Sequence, residues 1–143
     1  HVTYMGPLGS GYAAKLINNL IVGGEITLIA EAFGLARRAG VDLTRLMEAL
    51  SGGAAASPVL TMKGSKMISG DYTASSRVLI HLKDQHNAQE MARALGADIP
   101  ACDLSTFLLE KLADMGRGNE DVAAVIDLFQ SKVDLRRLWN GNL

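Results

Sequence analysis

The chain has 143 residues, of which 48% are hydrophobic and 20% charged, and its formal net charge is -1. This composition is typical of one globular domain that is large enough to bury its own core. It argues against binding to nucleic acid or to a membrane surface, because both need clustered Lys and Arg, and the single cysteine excludes an internal disulfide and favours the cytoplasm.

The first predicted element is a long helix over about residues 11–39, which ends before Gly40. Apolar residues occupy most of its faces, a pattern typical of a helix buried within a domain or between subunits. Gly23 and Gly24 fall near its middle, where each costs about 1 kcal/mol relative to Ala, and we interpret both as points of close helix–helix packing. The most apolar run, residues 16–30, is interrupted by polar residues and predicts no membrane span.

Shorter helices follow in chain order, separated by turns that contain glycine or a capping residue. No stretch alternates apolar and polar residues in the manner of a strand. We predict five further helices, over residues 43–50 behind Asp42, 58–68 behind Ser57, 75–95, 100–115, and 120–132 behind Asn119. The predicted fold class is therefore all-α, a multi-helix domain packed around one long apolar helix.

The first candidate site lies at the start of the long helix. A glycine-rich turn covers residues 6–11; it suits close approach of a ligand to the backbone, although a simple turn fits as well. Lys15 and Asn19 lie one turn apart on the same helix face. A lysine held in a cleft there can act as a general acid or base, whereas on a bare helix its amine only reaches solvent. The residues alone favour the solvent-exposed alternative.

The second candidate site is the adjacent pair Lys83 and Asp84, in a helix that also contains His81 and His86. Successive side chains on a helix point about 100° apart, so we expect no direct ion pair between the two, and a solvated charged patch is the alternative to a binding site. The two histidines are poorly spaced for a shared metal ion, and we predict no metal site. Cys102 is expected to pack in the core.

Taken together, these segments resemble the β-hydroxyacid dehydrogenases, the family of 3-hydroxyisobutyrate dehydrogenase, tartronate semialdehyde reductase and glyoxylate/succinic semialdehyde reductase. The glycine-rich turn with Lys15 and Asn19 is similar to the family's catalytic segment, and Lys83-Asp84 is similar to its cofactor-contacting pair. Between them, residues 31–42 resemble the family's central helix and its exit, and residues 50–57 the loop that follows. The order of four motifs is far more specific than any one of them.

The resemblance implies roles for six residues and a cofactor, NAD or NADP. Lys15 would be the catalytic proton donor or acceptor, Asn19 would position the substrate and the lysine, Gly9 and Ser10 would border the substrate, Lys83 would contact the dinucleotide, and Asp84 would support the substrate side of the site. The substrate would be a small β-hydroxyacid or its semialdehyde or keto form.

Two positions depart from the family pattern. Ser76 stands where members often carry an aromatic residue near the substrate, and Gln85 replaces the usual leucine after the Lys-Asp pair. The first departure leaves the identity of the substrate open. Arg77, next to it, either pairs with a substrate carboxylate or is an ordinary surface arginine.

The resemblance further implies a fold like the C-terminal domain of 6-phosphogluconate dehydrogenase. We expect residues 1–10 to form an interdomain and substrate loop, 11–132 the helical domain and 133–143 a tail. No strand–turn–helix unit with a Gly-x-Gly-x-x-Gly turn occurs in the chain. We therefore expect a piece of a longer cytoplasmic dehydrogenase that is inactive alone.

The apolar faces of the long helix also predict self-association, as a homodimer or tetramer. A protein of another class, a non-catalytic helical oligomerisation module, would explain this helix equally well. It would not explain why Lys15, Asn19 and Lys83-Asp84 follow one another in the family's order.

Overall fold

A computed structural model of the chain describes residues 2–130 together with Leu135 and Trp139. The helices are α1 (Ser10–Arg38), α2 (Leu43–Ser51), α3 (Ser65–Ser69), α4 (Val78–Leu95), α5 (Pro100–Asp114) and α6 (Ile126–Gln130). A π-helical segment, Leu60–Gly64, leads directly into α3, and a 3-10 turn, Val122–Val125, leads into α6. Since the described residues contain no β-strand, the predicted all-α fold is confirmed.

The long helix α1 is the axis of the fold, and the other elements pack on one side of it. Its buried side chains include Leu16, Ile26, Ala30 and Phe33, and α4, α5, α6 and the π segment contact it. Its opposite side stays exposed in this chain. By length and composition alone, α1 is also long and apolar enough to cross a membrane. The sequence prediction, which rested on the polar residues within 16–30, was that it is not.

Several predicted helix ends are confirmed by their capping contacts. The Asp42 carboxylate accepts a hydrogen bond from the backbone N–H of Arg45 at 2.8 Å and so caps α2. The Ser57 hydroxyl accepts one from the N–H of Leu60 at 3.0 Å, which starts the helix that contains the π segment. Gly96 ends α4 with a φ of 65°, a backbone conformation that favours glycine.

The start of α4 and the last predicted helix differ from expectation. α4 begins at Val78 because the backbone N–H groups of Ser75 and Ser76 donate to the Asp121 carboxylate, at 2.9 and 3.1 Å, instead of entering the helix. Asp121, not Asn119, also caps the 3-10 turn. The last helix is thus divided into this turn and α6, and its predicted end lies outside the described residues.

The two glycines in the middle of α1 have different surroundings. A Cβ atom at Gly23 would lie 1.7 Å from Nε2 of Gln85, so the backbone of α1 approaches α4 as closely as predicted. A Cβ atom at Gly24 would meet nothing within 4 Å. Close packing is therefore confirmed for Gly23, and within this chain the prediction is wrong for Gly24.

Candidate active site

The glycine-rich turn folds back against the first residues of α1. Gly9 precedes the helix with a φ of 96°, in the left-handed region that favours glycine. The N–H of Ser10 donates to the carbonyl of Pro7 at 3.0 Å, and a Cβ atom at Gly6 would lie 3.0 Å from the Ser10 hydroxyl. The turn therefore sets Gly9 and Ser10 at the N-terminus of the helix that carries Lys15.

Lys15 and Asn19 share one face of the first turns of α1, as predicted. Lys15 is exposed, and within the described part of the chain its amine has no hydrogen-bond or ion-pair partner. Asn19 is half-buried, and its side-chain oxygen accepts a weak hydrogen bond from Asn18 at 3.4 Å. The burial expected for a proton-transferring lysine is thus not supplied by the described residues.

Lys83 and Asp84 lie on α4 and form an ion pair, contrary to expectation. Nζ of Lys83 is 3.7 Å from Oδ1 of Asp84, because the flexible lysine side chain bends back toward its neighbour. The distance is too long for a good hydrogen bond, and the Lys83 side chain is 63% exposed. Its amine therefore remains able to bind a further anion.

α1 and α4, which carry these two candidate sites, run in opposite directions. Gln85 of α4 packs against Gly23 of α1. The start of α4 is bonded through Asp121 to the π segment, which packs against Phe33 near the end of α1. Moving toward the start of α4 therefore means moving toward the end of α1.

The antiparallel arrangement separates Lys15 from Lys83. Lys15 precedes Gly23 in α1, and Lys83 precedes Gln85 in α4, so the two lysines lie on opposite sides of the Gly23–Gln85 contact. The structure brings Lys15 together with Asn19, Gly9 and Ser10, and it joins Lys83 to Asp84, but it does not bring the two groups into contact.

The most buried ion pair, between Lys63 and Asp121, was not predicted. Nζ of Lys63, in the π segment, lies 2.9 and 3.1 Å from the two Asp121 oxygens and 3.2 Å from the Ser75 hydroxyl. Lys63 is 6% exposed and Asp121 is fully buried. Because 58 residues separate the partners, the local signal was only a lysine in one apolar segment and an aspartate before another.

Hydrogen bonds decide the charge state of Asp121. Burial alone would raise its pKa, but the bonds donated by Lys63, by the backbone of Ala123 and by Ser75 hold the pKa of Asp121 well below its ordinary value. With every oxygen bonded, this pair fastens the π segment and the start of α4 to the 3-10 turn. We assign it a structural role.

Ser76, which departs from the family pattern, and its neighbour Arg77 both form contacts within the chain. The Ser76 hydroxyl lies 2.7 Å from Nε2 of His81, and burial together with the charge of Lys63 lowers the pKa of His81. Arg77 is exposed, and its guanidinium donates to the Asn119 side chain at 3.3 Å. This contact favours the interpretation of Arg77 as a surface arginine.

Neither the histidines nor the cysteine form a further site in the described residues. No group of three or more His, Cys, Asp or Glu side chains there could hold a metal ion. Cys102 is buried as predicted, and burial raises the pKa of its thiol. Its Sγ contacts the side-chain oxygen of Gln85 at 2.7 Å, which places it in the packing between α4 and α5.

Comparison with known proteins identifies the type of domain. Residues 9–129 match the family model described as the NAD-binding domain of NADP-dependent 3-hydroxyisobutyrate dehydrogenase. The chain is 30% identical over 130 residues to 2-hydroxy-3-oxopropionate reductase of Escherichia coli, covering 91% of the chain and 44% of that protein. It is 30% identical over 128 residues to chloroplastic glyoxylate/succinic semialdehyde reductase 2 of Arabidopsis thaliana, covering 90% of the chain and 36% of that protein.

Solved structures show the same relationship. The fold matches 3-hydroxyisobutyrate dehydrogenase from Salmonella typhimurium with a TM-score of 0.81 and 32% identity, over 84% of this chain and 42% of that one. The chain thus spans less than half the length of each of these three relatives.

Proposed function

The chain belongs to the 3-hydroxyisobutyrate dehydrogenase family, and we propose that it is the C-terminal, helical domain of an NAD(P)-dependent enzyme that oxidises or reduces a small β-hydroxyacid. The observation that carries this proposal is the position of Lys15. Its amine projects from the first turns of α1, one turn from Asn19 and beside the glycine-rich turn, and no described residue engages it.

In this proposal Lys15 moves the proton of the reaction. Its ammonium group donates a proton to the carbonyl oxygen of the substrate during reduction, and the neutral amine removes that proton during oxidation. The Asn19 amide offers both a donor and an acceptor and holds the substrate oxygen in line with Nζ. When bound, the nicotinamide of the cofactor supplies or accepts the hydride.

Lys83 fits a contact with the cofactor. A dinucleotide carries negatively charged phosphates, and the Lys83 amine is exposed and only loosely paired with Asp84. Asp84, whose side chain is 20% exposed, lies 3.7 Å from the lysine amine, and in this proposal it limits the orientations of the lysine. No other described residue is assigned to the dinucleotide, which we expect to be held mainly by the part of the relatives that this chain does not match.

In this proposal, the burial that Lys15 lacks is supplied by the part of the relatives that this chain does not match. The segment before Lys15 exposes three large apolar side chains, Tyr4 by 86%, Leu8 fully and Tyr12 by 59%. Exposed apolar groups clustered next to a candidate catalytic residue are typical of a surface that another domain covers. For this reason we propose that the chain is inactive without a dinucleotide-binding domain.

The proposal is tested by replacing Lys15 in the protein that joins this chain to its dinucleotide-binding domain. We expect Lys15→Ala to lower kcat with small β-hydroxyacids by at least about 100-fold, the usual contribution of a general acid or base. Lys111→Ala is the control, because Lys111 is a lysine on α5 outside the candidate site whose side chain is 40% exposed, and it should leave kcat unchanged. Normal turnover in Lys15→Ala would reject the assignment.

A non-catalytic oligomerisation module remains the second candidate function, and the exposed apolar side of α1 favours it. The two candidates make different predictions for one assay. If the joined protein shows no NAD(P)-dependent turnover with any small β-hydroxyacid while still self-associating, the module describes it better.

A further inference from the structure

A small cavity between α1, α5 and α6 is lined by aromatic rings and one carboxylate. Its volume is about 170 Å³, and leucine side chains form the rest of its wall. The aromatic and polar members of the wall are Glu31 of α1, Phe107 of α5, Phe129 of α6 and Trp139. The rings of Phe107 and Trp139 meet edge to face, with their centroids 5.4 Å apart. We call this space the aromatic cavity; the proposed reaction uses none of the residues that line it.

Glu31 brings the one charge that the described residues place in this wall. It is exposed on α1, and within the described part of the chain its carboxylate has no hydrogen-bond or ion-pair partner. An apolar ligand in the cavity would displace water from this carboxylate without replacing the lost hydrogen bonds, which is unfavourable. A cationic ligand offsets that loss, because its positive charge attracts the carboxylate.

The aromatic rings favour the same kind of ligand. The face of an aromatic ring carries negative partial charge and attracts an ammonium group that lies within about 6 Å of the centroid. One cation of the chain already uses this attraction, since Nζ of Lys111 lies 5.3 Å from the centroid of Phe107. A metal ion fits the cavity less well, because hard metal ions need several oxygen ligands and Glu31 supplies a single carboxylate.

The volume of the aromatic cavity limits the ligand to a few non-hydrogen atoms. A cavity of about 150 Å³ accommodates benzene, whereas pockets for drug-sized ligands occupy about 300–1,000 Å³. We propose that the aromatic cavity binds a small alkylammonium cation, with its alkyl groups against the aromatic rings and its charge toward Glu31. A trimethylammonium group has the required size and combines a positive charge with an apolar surface.

The aromatic cavity is distinct from the candidate active site. Glu31 and Lys15 lie on the same helix, α1, and a rise of about 1.5 Å per residue separates them by about 24 Å along its axis. Binding of a cation in the cavity can therefore be measured without a substrate or a dinucleotide. This inference is independent of the proposed dehydrogenase function.

The tryptophan in the cavity wall provides the first test. Trp139 is the single tryptophan of the 143-residue chain, so its fluorescence reports ligand binding without a label. We expect a saturable change with choline, a trimethylammonium probe, at constant ionic strength, with a Kd of about 1 mM or lower. The uncharged carbon analogue of choline, in which a tert-butyl group replaces the trimethylammonium group, should bind at least about tenfold more weakly.

Substitutions of glutamate separate the effect of charge from that of shape. Glu31→Gln keeps the size of the side chain but removes its charge, and it should weaken choline binding about two- to fivefold, as expected for one exposed ion pair. Glu48→Gln is the matched control, because Glu48 is an exposed glutamate on α2 that does not line the cavity, and it should leave the Kd unchanged. Isothermal titration calorimetry measures both variants independently of the fluorescence.

The same measurements can overturn the proposal. The absence of a saturable response to millimolar choline would show that the aromatic cavity does not bind alkylammonium cations. Equal affinities for choline and its uncharged analogue would make the cavity a purely apolar one. An unchanged Kd in Glu31→Gln would contradict the role given to the carboxylate.

Discussion

The two lysine–aspartate pairs of this chain are built in opposite ways. Lys63 and Asp121 are buried, come from distant segments and meet at 2.9 Å, whereas Lys83 and Asp84 are neighbours on one helix and meet at 3.7 Å with the lysine 63% exposed. A pair whose donors and acceptors are all engaged stabilises the fold and has nothing left to offer a ligand. A loosely paired amine contributes little to the fold and is available for binding.

The largest expected effect is on stability and concerns the buried pair. Lys63→Met keeps most of the side-chain volume but leaves the Asp121 carboxylate buried without its cation. Breaking a buried pair in this way costs about 3–5 kcal/mol, and we expect a loss of this size in the free energy of unfolding by urea.

Lys83→Met is the matched variant for the exposed pair. Because exposed ion pairs contribute about 0–1 kcal/mol, the unfolding midpoint should hardly change. Equal losses in the free energy of unfolding for Lys63→Met and Lys83→Met would contradict the distinction between a structural ion pair and one whose amine is available to a ligand.

The pH dependence of stability sharpens the same contrast. The pKa of Asp121 is lower in the folded chain than its ordinary value of 3.8, so the unfolded chain binds more protons at low pH. The stabilisation is complete above about pH 4 and is lost as the pH falls through the folded pKa. Urea unfolding between pH 5 and 2 should show the start of this decline, and Asp121→Asn should be less stable throughout but flatter in that range.

His81 adds a second decline at higher pH. Its pKa is below the ordinary 6.5 in the folded chain. The contribution of neutral His81 to stability should therefore be complete above pH 6.5. It should decrease as the pH falls below 6.5, because the unfolded chain then binds a proton that the folded chain resists. His81→Asn should remove the slope between about pH 7 and 5. A slope that persists in this variant would assign the titration to another group.

A separate effect, on cofactor binding, is expected for the exposed pair. In the protein joined to its dinucleotide-binding domain, Lys83→Ala should raise the KM for the dinucleotide by at least about tenfold, since hydrogen bonds to charged groups contribute about 1.5–3 kcal/mol. The kcat at saturating cofactor should change far less. A change in kcat alone would argue that Lys83 acts in another way.

Local patterns in the sequence predicted the fold where local physics decides it. The caps Asp42 and Ser57 and the glycine after α4 are short-range signals, and the structure places them at helix ends. The start of α4 was misplaced because Ser75 and Ser76 bond to Asp121, which is 46 and 45 residues away from them, respectively. Contacts of that range leave no periodic trace in the sequence.

The candidate site could be predicted only in part. Helical spacing correctly placed Lys15 and Asn19 on one face, and the order of the motifs correctly indicated the family. The residues alone favoured a solvent-exposed Lys15, and within the described residues Lys15 is exposed. The Lys83–Asp84 contact was missed, because an angle between adjacent helix positions takes no account of a long, flexible side chain.

The account depends most on the claim that the Lys15 amine transfers the proton, and chemical rescue tests it most directly. In the joined protein, Lys15→Ala should recover part of its lost turnover when a small primary amine such as ethylamine is added, in proportion to amine concentration. Asn19→Ala should not respond, because it retains the lysine. Rescue confined to Lys15→Ala is the result we predict, and a Lys15→Ala enzyme that is fully active without added amine would contradict it.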